Sequence, residues 1–301
     1  MPGGGVVGSE YACIFTALGV LVDFVPGRDG LVPFLDREVA RLLEKKMLDG
    51  GVMFHLKDSV EKVRAGESLE ITMASGETFT VGAVLVSLGR MANTQGLGLE
   101  EIGVLLTERR TIHVNVHYQT SVPHIYAAGD VIGPPSLAAA AMEEARVAMV
   151  HAFDLKYKTR ITHIIPYGIY TIPECAMAGK TEEELRAGGA PYIAGRAFYE
   201  ANSRGQILGE TECFLKLLFH EEDMKLIGVH IIGPQASELI HTGLTALQSG
   251  AHSDLFIQSC YNFPTLSEMY KYATYDAMGR KAMKASGRTH AVVASLAGAG
   301  R

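Results

Sequence analysis

The stretch that decides the fold is Gly3-Gly4-Gly5-Val6-Val7-Gly8, a complete G-x-G-x-x-G sequence at the amino end of the chain. Glycines in this pattern allow the backbone to turn tightly after a strand and to come close to a pyrophosphate group. The helix that follows then presents its positive amino end to the phosphates. A lone G-x-G-x-x-G is a weak signal, so its interpretation depends on the residues around it.

The residues after the glycines have the order expected of a dinucleotide-binding unit. Residues 9–18 are compatible with a helix that ends at Gly19. Residues 20–25, VLVDFV, are predicted to form the next strand because they are rich in β-branched and apolar side chains. This context disfavours a chance match in a glycine-rich terminus. Because only Met1 and Pro2 precede the glycines, we expect the chain to be the later part of a larger nucleotide-binding protein.

Composition limits the classes of function. The 301 residues are 48% hydrophobic and 20% charged, which indicates a globular chain of two or three domains. The net charge of −6 and the lack of a basic run argue against a nucleic-acid partner. No apolar segment approaches the roughly 20 residues that cross a bilayer, and the amino end lacks the features of a secretory signal. We therefore expect a cytoplasmic protein without a membrane partner.

The four cysteines, Cys13, Cys175, Cys213 and Cys260, are far apart and form no C-x-x-C. Such spacing is typical of reduced thiols in a reducing compartment and predicts neither a disulfide framework nor a metal site. His113 and His117 are four residues apart, but their strand-like surroundings make a metal pair improbable. Any redox chemistry must therefore come from a bound cofactor.

Residues 1–88 are predicted to form one α/β unit. An amphipathic helix is expected over 36–49 and a short strand over 52–56. The strands 69–73 and 78–81 flank the turn sequence ASG and predict a hairpin. The nearly continuous apolar run 83–88 is expected to be a strand buried on both faces.

Three further segments follow. Residues 89–158 contain a predicted buried strand at 124–128 and a small-residue helix from 137 to about 153. Residues 159–281 are expected to be an α+β domain, and the Ala/Gly-rich tail 282–301 is expected to be disordered. In the α+β domain helices are predicted at 181–187, 237–249 and 267–278, and strands at 214–219 and 225–232. The run Glu182-Glu183-Glu184 is interpreted as a solvated helix start.

A second nucleotide signature lies in TSVPHIYAAGD at 120–130. A strand here delivers Asp130 directly after Gly129, so that the carboxylate can accept hydrogen bonds from sugar or ribityl hydroxyls without a side chain blocking the ligand. The alternative is an ordinary aspartate in a strand-to-helix turn. The presence of the first signature favours the functional interpretation.

Together these pieces resemble the flavoprotein pyridine nucleotide–disulfide oxidoreductase family, and within it the soluble transhydrogenases. The resemblance covers residues 3 to about 280. The matching pieces are GGGVVGSEYA at 3–12, SLGRMANT at 87–94, TSVPHIYAAGDVIGPPSLA at 120–138, GIYTIPECAMAGKTEEEL at 168–185 and YNFPTLSEMY at 261–270.

The resemblance implies an α/β fold: a Rossmann-like NAD(P) domain at 1–88, the second half of an FAD domain at 89–158, and an α+β dimerisation domain at 159–281. A segment before Met1 would then carry the FAD fingerprint. The cofactors implied are FAD, NAD and NADP. The cofactor-binding residues implied are Gly3, Gly5, Gly8, Glu10, Arg28, Gly89, Arg90, Gly129, Asp130, Ala138 and Phe263.

Each of these residues has an expected role. The three glycines of the loop would hold the pyrophosphate of the nicotinamide dinucleotide, and Glu10 would lie near the nicotinamide unless it is simply a first-turn acid favoured by the helix dipole. Asp130 would bind the ribityl group of FAD. Gly89 and Arg90 belong to a segment expected to cross between the nucleotide domains, although a polar linker is an alternative, and Ala92 replaces the proline of the family pattern.

Two departures from the family pattern bear on specificity. Pro26 stands where NAD-specific members carry a ribose-binding glutamate, and Arg28 lies two residues on. A guanidinium can pair with a 2′-phosphate, so we expect NADP(H) to be at least tolerated; a solvated loop arginine is the alternative. Asp23 is a weaker ribose candidate, with a structural role favoured. Phe263 replaces the acid–base histidine of disulfide-reducing members, and an apolar ring cannot transfer protons.

The activity implied is FAD-dependent hydride transfer between NADPH and NAD, that is, a Si-specific transhydrogenase, in a homodimer formed through the C-terminal domain. No catalytic side chain is predicted, because the flavin would supply the chemistry, and Phe263 would cover the flavin of the partner subunit. Two alternatives stay open. One is a dihydrolipoamide dehydrogenase-like or other disulfide or quinone reductase of the same family. The other is a dimerising fragment without catalysis, because the chain contains no FAD fingerprint.

Overall fold

The computed structural model describes residues 1–27 and 30–286 of the chain. The chain divides into two compact units, one made of residues 1–88 with 166–301 and the other of residues 89–165. Helices lie at α1 Val6–Ala17, α2 Arg37–Asp49, α3 Ala138–Ala152, α4 Glu182–Ala187, α5 Ser203–Leu208, α6 Ala236–Gln248, α7 Ser253–Gln258 and α8 Met269–Ala285. Strands lie at β1 Asp23–Gly27, β2 Met53–Leu56, β3 Val60–Ala65, β4 Leu69–Met73, β5 Thr78–Val81, β6 Tyr167–Ile169, β7 Cys175–Gly179, β8 Tyr192–Phe198, β9 Phe214–His220 and β10 Leu226–Ile232.

The amino-terminal part of the first unit contains a small parallel sheet. β1 pairs in parallel with β2, and Pro2 forms a parallel bridge with Val25 on the other edge of β1. α1 connects Pro2 to β1, and α2 connects β1 to β2. The predicted order of glycine turn, helix and strand is confirmed, although the helix begins at Val6 rather than after Gly8.

Helix α2 forms where its hydrophobic pattern predicts. The Asp36 side chain caps it by accepting a hydrogen bond from the Glu38 N–H at 3.0 Å. Val39, Leu43 and Met47 recur at helical spacing and are buried. Side-chain capping at one end and burial of one face therefore account for the helix from its own residues.

The predicted hairpin is also present, with one strand added. β3, β4 and β5 form an antiparallel three-stranded sheet, and Gly76 takes a positive φ of 89° in the turn between β4 and β5. Ile71 and Met73 of β4 pack with Val25 of β1 in a buried cluster. The three-stranded sheet is thereby fixed against the parallel pair.

The strand predicted at 83–88 is wrong. Residues 83–88 form no regular strand, and Val86 and Leu88 are 63% and 75% exposed. A strand requires a neighbour that accepts its backbone hydrogen bonds. Here the Ser87 N–H donates to the Pro2 carbonyl at 2.9 Å, while residues 82–85 border an apolar cleft instead of another strand.

Residues 166–286 form an α+β layer. The antiparallel sheet has the order β6-β7-β10-β9-β8, and β9 and β10 are buried over most of their length. α8 packs against β8 at Gly195, where any Cβ would overlap the Ala273 carbonyl oxygen. The mixture of helices and strands predicted for this segment is confirmed. α8 continues to Ala285, past the helix end predicted at 278, so the prediction of a disordered tail is wrong for residues 282–285. Residues 287–301 of the predicted tail lie outside the described residues.

The second unit, residues 89–165, has one long helix, α3, and little regular strand. The buried strand predicted at 124–128 is wrong, because Tyr126 makes only an isolated antiparallel bridge with Gln119 and residues 125–128 are half-buried. An isolated bridge cannot form a ladder, so the segment stays irregular up to Gly129. Within the part of the chain that the structure describes, no helix is both long and apolar enough to cross a membrane.

Candidate functional site

The glycine loop adopts a conformation that its glycines alone permit. Gly3 has a φ of 118°, and a Cβ there would overlap the Ser87 carbonyl oxygen. A Cβ on Gly8 would overlap the Gly3 carbonyl oxygen, so the first turn of α1 packs directly on the loop. Nothing lies within 4 Å of the Cβ position of Gly5. Two glycines therefore make the turn and the packing, while the third leaves an open approach to the backbone.

The amino end of α1 is prepared for an anion. Its first intrahelical bond runs from the Ser9 N–H to the Gly5 carbonyl at 3.0 Å, so the amides of Val6, Val7 and Gly8 have no acceptor within the helix. No side chain caps this end, and its first turn holds no acidic residue. Free amides together with the helix dipole make this end attractive to a phosphate group.

Glu10 lies one turn further along α1. Its carboxylate accepts a hydrogen bond from the Tyr170 N–H at 2.9 Å, which ties α1 to the β6–β7 region. Because α1 begins at Val6, Glu10 is not in the first turn, and that alternative interpretation is wrong. Its expected place near a nicotinamide stays a prediction.

The residues expected to determine whether NAD or NADP binds lie at the end of β1. Pro26 is buried within β1, which ends at Gly27, and Arg28 lies outside the described residues. Asp23 binds His55, with 2.8 Å between Oδ1 and Nε2. This pairing supports the structural role of Asp23 over a role in ribose binding.

The Gly-Asp turn of the second unit is held by a residue that the sequence interpretation missed. Gly129 has a φ of 83°, and its N–H donates to Glu144 Oε2 at 2.7 Å. Glu144 is 2% exposed on α3. Because Glu143 and Arg146 lie beside it on α3, no signal in the sequence singled out Glu144. Glu144 fixes the backbone direction from which the Asp130 side chain departs.

Asp130 and Arg90, two of the predicted cofactor residues, are paired with each other. Arg90 Nη1 lies 3.0 Å from Asp130 Oδ2, and both side chains are largely accessible. Gly89, just before the arginine, takes a positive φ of 119°. Ala138 is the first residue of α3, an exposed position where no side chain caps the helix. The second unit thus pairs Asp130 with Arg90, which is 40 positions away in the sequence, and α3 starts without a side-chain cap shortly after Asp130.

The comparisons with known proteins agree with this geometry. Residues 2–145 match the family model described as pyridine nucleotide-disulphide oxidoreductase, and residues 165–274 match the dimerisation domain of the same family. The chain belongs to the pyridine nucleotide–disulphide oxidoreductases. The resemblance seen in the sequence motifs is confirmed, as is the α/β fold with a Rossmann-like first part and an α+β dimerisation domain.

Individual members of the family extend the comparison. The soluble pyridine nucleotide transhydrogenase of Pseudomonas putida (strain GB-1) is 41% identical over 282 residues, which covers 92% of this chain and 61% of the relative. That of Azotobacter vinelandii is 42% identical, with the same coverage. The crystal structure of LpdA from Mycobacterium tuberculosis has a TM-score of 0.84 at 29% identity, over 91% of this chain and 60% of that one. The chain therefore spans about three fifths of the length of the curated relatives that it matches.

The thiols of this family member are poorly placed for chemistry. All four cysteines are free; Cys13, Cys175 and Cys213 are buried. Burial raises the pKa of Cys175 to about 12 and raises the pKa values of Cys13 and Cys213 above their usual value. The reactive form of a cysteine is the thiolate, so these three thiols are inert near neutral pH.

Phe263, which replaces the acid–base histidine of disulfide-reducing members, is 72% exposed. Exposure of so large an apolar side chain is consistent with a surface that another molecule covers. The predicted contact with a flavin stays a prediction.

An ion cluster, defined as Asp36, Glu38, Glu182, Arg196 and Lys216, joins the amino-terminal sheet to the β9 layer within the first unit. Lys216 and Asp36 are fully buried, and Lys216 Nζ lies 2.9 and 2.8 Å from the two Asp36 oxygens. Arg196 makes a two-pronged contact with Glu38, at 2.7 Å for each prong. The solvated start predicted for α4 is wrong for Glu182, which is 8% exposed because it also faces Arg186, Arg196 and Lys216.

The cluster keeps Asp36 and Glu38 ionised. Burial opposes ionisation of Asp36, yet the Coulombic effects of His230 and Lys216, together with hydrogen bonds from Lys216 and from the Glu38 N–H, hold its pKa below the usual value. Burial also opposes ionisation of Glu38, but hydrogen bonds and charge from Arg196 and Lys216 lower its pKa as well. The cluster is therefore a set of compensated charges, and its integrity depends on every member.

Proposed function

We propose that this chain supplies the nicotinamide-dinucleotide and FAD contacts of a transhydrogenase, a flavoenzyme that moves hydride between NADPH and NAD. The observation that carries the proposal is the glycine loop, in which Gly5 is open and the amides at the start of α1 have no intrahelical partner. The names of the relatives, soluble pyridine nucleotide transhydrogenases, support the choice of reaction. NADPH and NAD would bind in turn at the same loop.

The residues present fit a dinucleotide at this loop. A pyrophosphate needs a close approach to the backbone, and the Cβ position of Gly5 faces open space. It also needs donors without a competing acid, and the first turn of α1 contains no acidic residue. We infer that Gly3 and Gly8 shape the loop while Gly5 and the amides of Val6 and Val7 contact the phosphates.

The residues present also fit a flavin nucleotide at the Gly-Asp turn. Asp130 offers an accessible carboxylate, and its pairing with Arg90 orients it. The uncapped start of α3, with the small side chain of Ala138, favours a phosphate group. Asp130 would accept hydrogen bonds from ribityl hydroxyls, and Glu144 would keep the turn in place through the Gly129 N–H.

Bound FAD supplies two-electron hydride exchange with a nicotinamide ring, a reaction that protein side chains do not perform. The role of this chain is then placement and exclusion of water. Glu10 would position the nicotinamide side of the dinucleotide from its fixed place beside the Tyr170 N–H. Phe263 would cover the flavin of the partner subunit and exclude water without exchanging protons.

Nucleotide preference would depend on the end of β1. Pro26 removes the acid that would repel a 2′-phosphate, and the guanidinium of Arg28 would pair with that phosphate. We also propose a homodimer through residues 165–274, which match the dimerisation domain of the family. A cytoplasmic location fits the free thiols, because reduced cysteines are typical of reducing compartments.

Two observations separate this proposal from a disulfide reductase of the same family. Phe263 cannot act as an acid or base, and three of the four cysteines are buried with raised pKa values. A quinone or disulfide reductase that takes its thiols from elsewhere is the second candidate, since LpdA of M. tuberculosis shares the fold. A dimerising protein without catalysis is the third, because the sequence contains a single G-x-G-x-x-G, at residues 3–8, for two nucleotide cofactors.

Steady-state turnover tests the proposal. The purified chain is supplied with FAD, NADPH and the thionicotinamide analogue of NAD, without any disulfide or quinone, and formation of the reduced analogue is followed by absorbance. The transhydrogenase proposal predicts turnover that requires FAD and is lost in Asp130→Ala but kept in Asp154→Ala, a change at an aspartate that is 89% exposed and outside the proposed site. Turnover only with a disulfide or quinone would favour the second candidate. A chain that dimerises but neither turns over nor binds FAD would favour the third.

A further inference from the structure

The peptide group between Gly4 and Gly5 lies at the boundary between buried and exposed backbone. Gly4 is buried, and a Cβ there would overlap the Gly30 carbonyl oxygen and Pro26. Its N–H donates to the Pro26 carbonyl at 3.2 Å, which fixes Gly4 against the end of β1. Gly5 is exposed, and nothing lies within 4 Å of its Cβ position. The direction of this peptide group therefore decides which atom the loop offers at its open side.

The carbonyl of this peptide group accepts a hydrogen bond from the Val32 N–H, at 2.7 Å. The peptide bond is trans, because every cis bond among the described residues precedes a proline. In a planar trans peptide the C=O and the N–H point in opposite directions. The bond from Val32 therefore turns the Gly5 N–H away from the buried side and towards the open side of the loop. No residue that the structure describes accepts a hydrogen bond from this N–H, so it is available to a ligand.

The opposite orientation of this peptide group is accessible to the chain. Turning the group over would move the φ of Gly5 from −77° to positive values, a region that glycine enters without steric cost. The carbonyl oxygen would then face the open side, where it would repel a phosphate. The Gly5 N–H would face the Val32 N–H, and two buried donors would oppose each other. The hydrogen bond from Val32 therefore selects the orientation that suits an anion.

Val32 donates this hydrogen bond from a strained backbone conformation. Its φ is 40°, a region in which a β-branched residue is an outlier. Val32 also precedes Pro33, and a residue before proline favours extended backbone instead. Its side chain is fully buried, so packing holds the residue in place. Strain of this kind persists where the surroundings impose it, and it is concentrated at functional sites.

We propose that Val32 is a positioning residue for the pyrophosphate: its N–H holds the Gly4–Gly5 peptide group in the orientation that presents the Gly5 N–H to the phosphates. This role rests on the proposed binding of a dinucleotide at the glycine loop, and it names the residue that sets the donor pattern of that loop. The donor is a backbone group, so the Val32 side chain contributes only packing. Gly4 is required as well, because no Cβ fits between Pro26 and Gly30.

Replacing the Val32 amide by an ester tests the proposal on the full chain. α-Hydroxyisovaleric acid at position 32 keeps the side chain and removes the N–H, and its ester oxygen repels the Gly4 carbonyl. The matched control is the same replacement at Val52, a buried valine whose N–H donates to the Met47 carbonyl at 3.0 Å. The probe is ADP-ribose, which carries the pyrophosphate but no nicotinamide. Its Kd is expected to rise about tenfold in the Val32 ester and to stay unchanged in the Val52 ester.

The amide signal of Gly5 reports the orientation of the peptide group. The sequence contains four Gly-Gly peptide groups, at 3–4, 4–5, 50–51 and 188–189. A chain labelled with carbonyl-13C and 15N glycine therefore gives one carbonyl-filtered amide signal for each of them. ADP-ribose is expected to shift the Gly5 signal in the unmodified chain but not in the Val32 ester. Unchanged Gly51 and Gly189 signals in that ester would show that the fold is intact.

A second variant separates the backbone donor from the side chain. Val32→Gly keeps the N–H, relieves the strain at positive φ and removes the buried side chain. It is expected to lower the thermal midpoint while the Kd for ADP-ribose stays within about twofold of the unmodified value. Weakening as large as that of the ester would assign the effect to the side chain and overturn the proposal.

The role of Val32 is also overturned if the Val32 ester binds ADP-ribose as the unmodified chain does, if the Val52 ester weakens binding equally, or if ADP-ribose leaves the Gly5 signal of the unmodified chain in place. Failure of the transhydrogenase proposal gives a different result. A chain that shows the expected ADP-ribose responses but transfers no hydride with FAD, NADPH and the NAD analogue would refute the reaction and still support the role of Val32.

Discussion

The Lys216→Met substitution is expected to destabilise the first unit strongly. Lys216 Nζ donates to both oxygens of Asp36 and, at 3.0 Å, to Glu38 Oε2. After the substitution Glu38 keeps its two-pronged contact with Arg196. Asp36 keeps only backbone donors, the Glu38 N–H at 3.0 Å and the Glu182 N–H at 3.5 Å. The loss is therefore concentrated on one fully buried carboxylate.

The size of the expected destabilisation follows from the loss of the charged partner of Asp36. Removing one partner of a buried ion pair costs about 3–5 kcal/mol, because the other charge stays buried without compensation. Lys216→Met combined with Asp36→Asn is expected to recover most of this loss, since asparagine has no charge and keeps an oxygen for the Glu38 N–H. Lys45→Met is the matched control: Lys45 is 53% exposed in its pairs with Asp49 and Glu212, so little change is expected.

The destabilisation caused by Lys216→Met is also expected to depend on pH, in a direction that the pKa shifts determine. The pKa values of Asp36 and Glu38 are lowered in the folded state, so their contribution is present above the unfolded values near pH 4 and is lost as the pH falls through the folded values. The difference between the wild type and Lys216→Met is therefore expected to be largest near neutral pH and to shrink as the pH falls, because Asp36 of the variant, buried without Lys216, takes a proton more readily.

Urea unfolding followed by circular dichroism measures these free energies, with the denaturation midpoint compared at neutral and acid pH. The reasoning is refuted if the free energy of unfolding of Lys216→Met lies within about 1 kcal/mol of that of the wild type at neutral pH, because so small a difference is typical of an exposed ion pair. It is also refuted if the double variant is no more stable than the single one.

The other predictions concern the nucleotide sites and the thiols. Gly5→Ala should keep the thermal midpoint and weaken NADPH binding about tenfold in a fluorescence titration, whereas Gly8→Ala should lower the midpoint, because its Cβ would overlap the Gly3 carbonyl; equal midpoints would contradict this. Arg28→Ala should raise the Kd for NADPH about tenfold and leave the Kd for NADH unchanged. An equal effect on both nucleotides would contradict a contact between Arg28 and the 2′-phosphate. Glu144→Gln should weaken FAD binding about tenfold in an absorbance titration, through loss of a charged acceptor for the Gly129 N–H; unchanged affinity would show that this bond does not position Asp130. An aromatic disulfide reagent should modify Cys260 alone in the folded chain and all four cysteines after denaturation, and faster labelling of Cys175 would contradict its burial.

Local features were accessible from the sequence because each depends on neighbouring residues. The glycine loop, the apolar face of α2 and the turn between β4 and β5 are all encoded within a few positions, and the structure contains each of them. The Gly129-Asp130 turn is of the same kind, since a single glycine with positive φ determines where the acid lies.

Features that depend on distant partners were not accessible. Lys216 and Asp36 are 180 positions apart, and neither hydropathy nor spacing indicates that a lysine in an apolar strand meets a helix cap. The apolar run 83–88 has the composition of a buried strand, yet a strand also needs a paired neighbour, which composition does not specify. The pairing of Arg90 with Asp130 was missed for the same reason.

An anaerobic titration of the FAD-loaded chain tests the central claim most directly, that the glycine loop and the Gly-Asp turn together support hydride transfer. The account predicts that NADPH bleaches the visible flavin absorbance and that excess NAD restores it, without any disulfide present. Flavin absorbance that NADPH leaves unchanged, or that only a disulfide restores, would contradict the account.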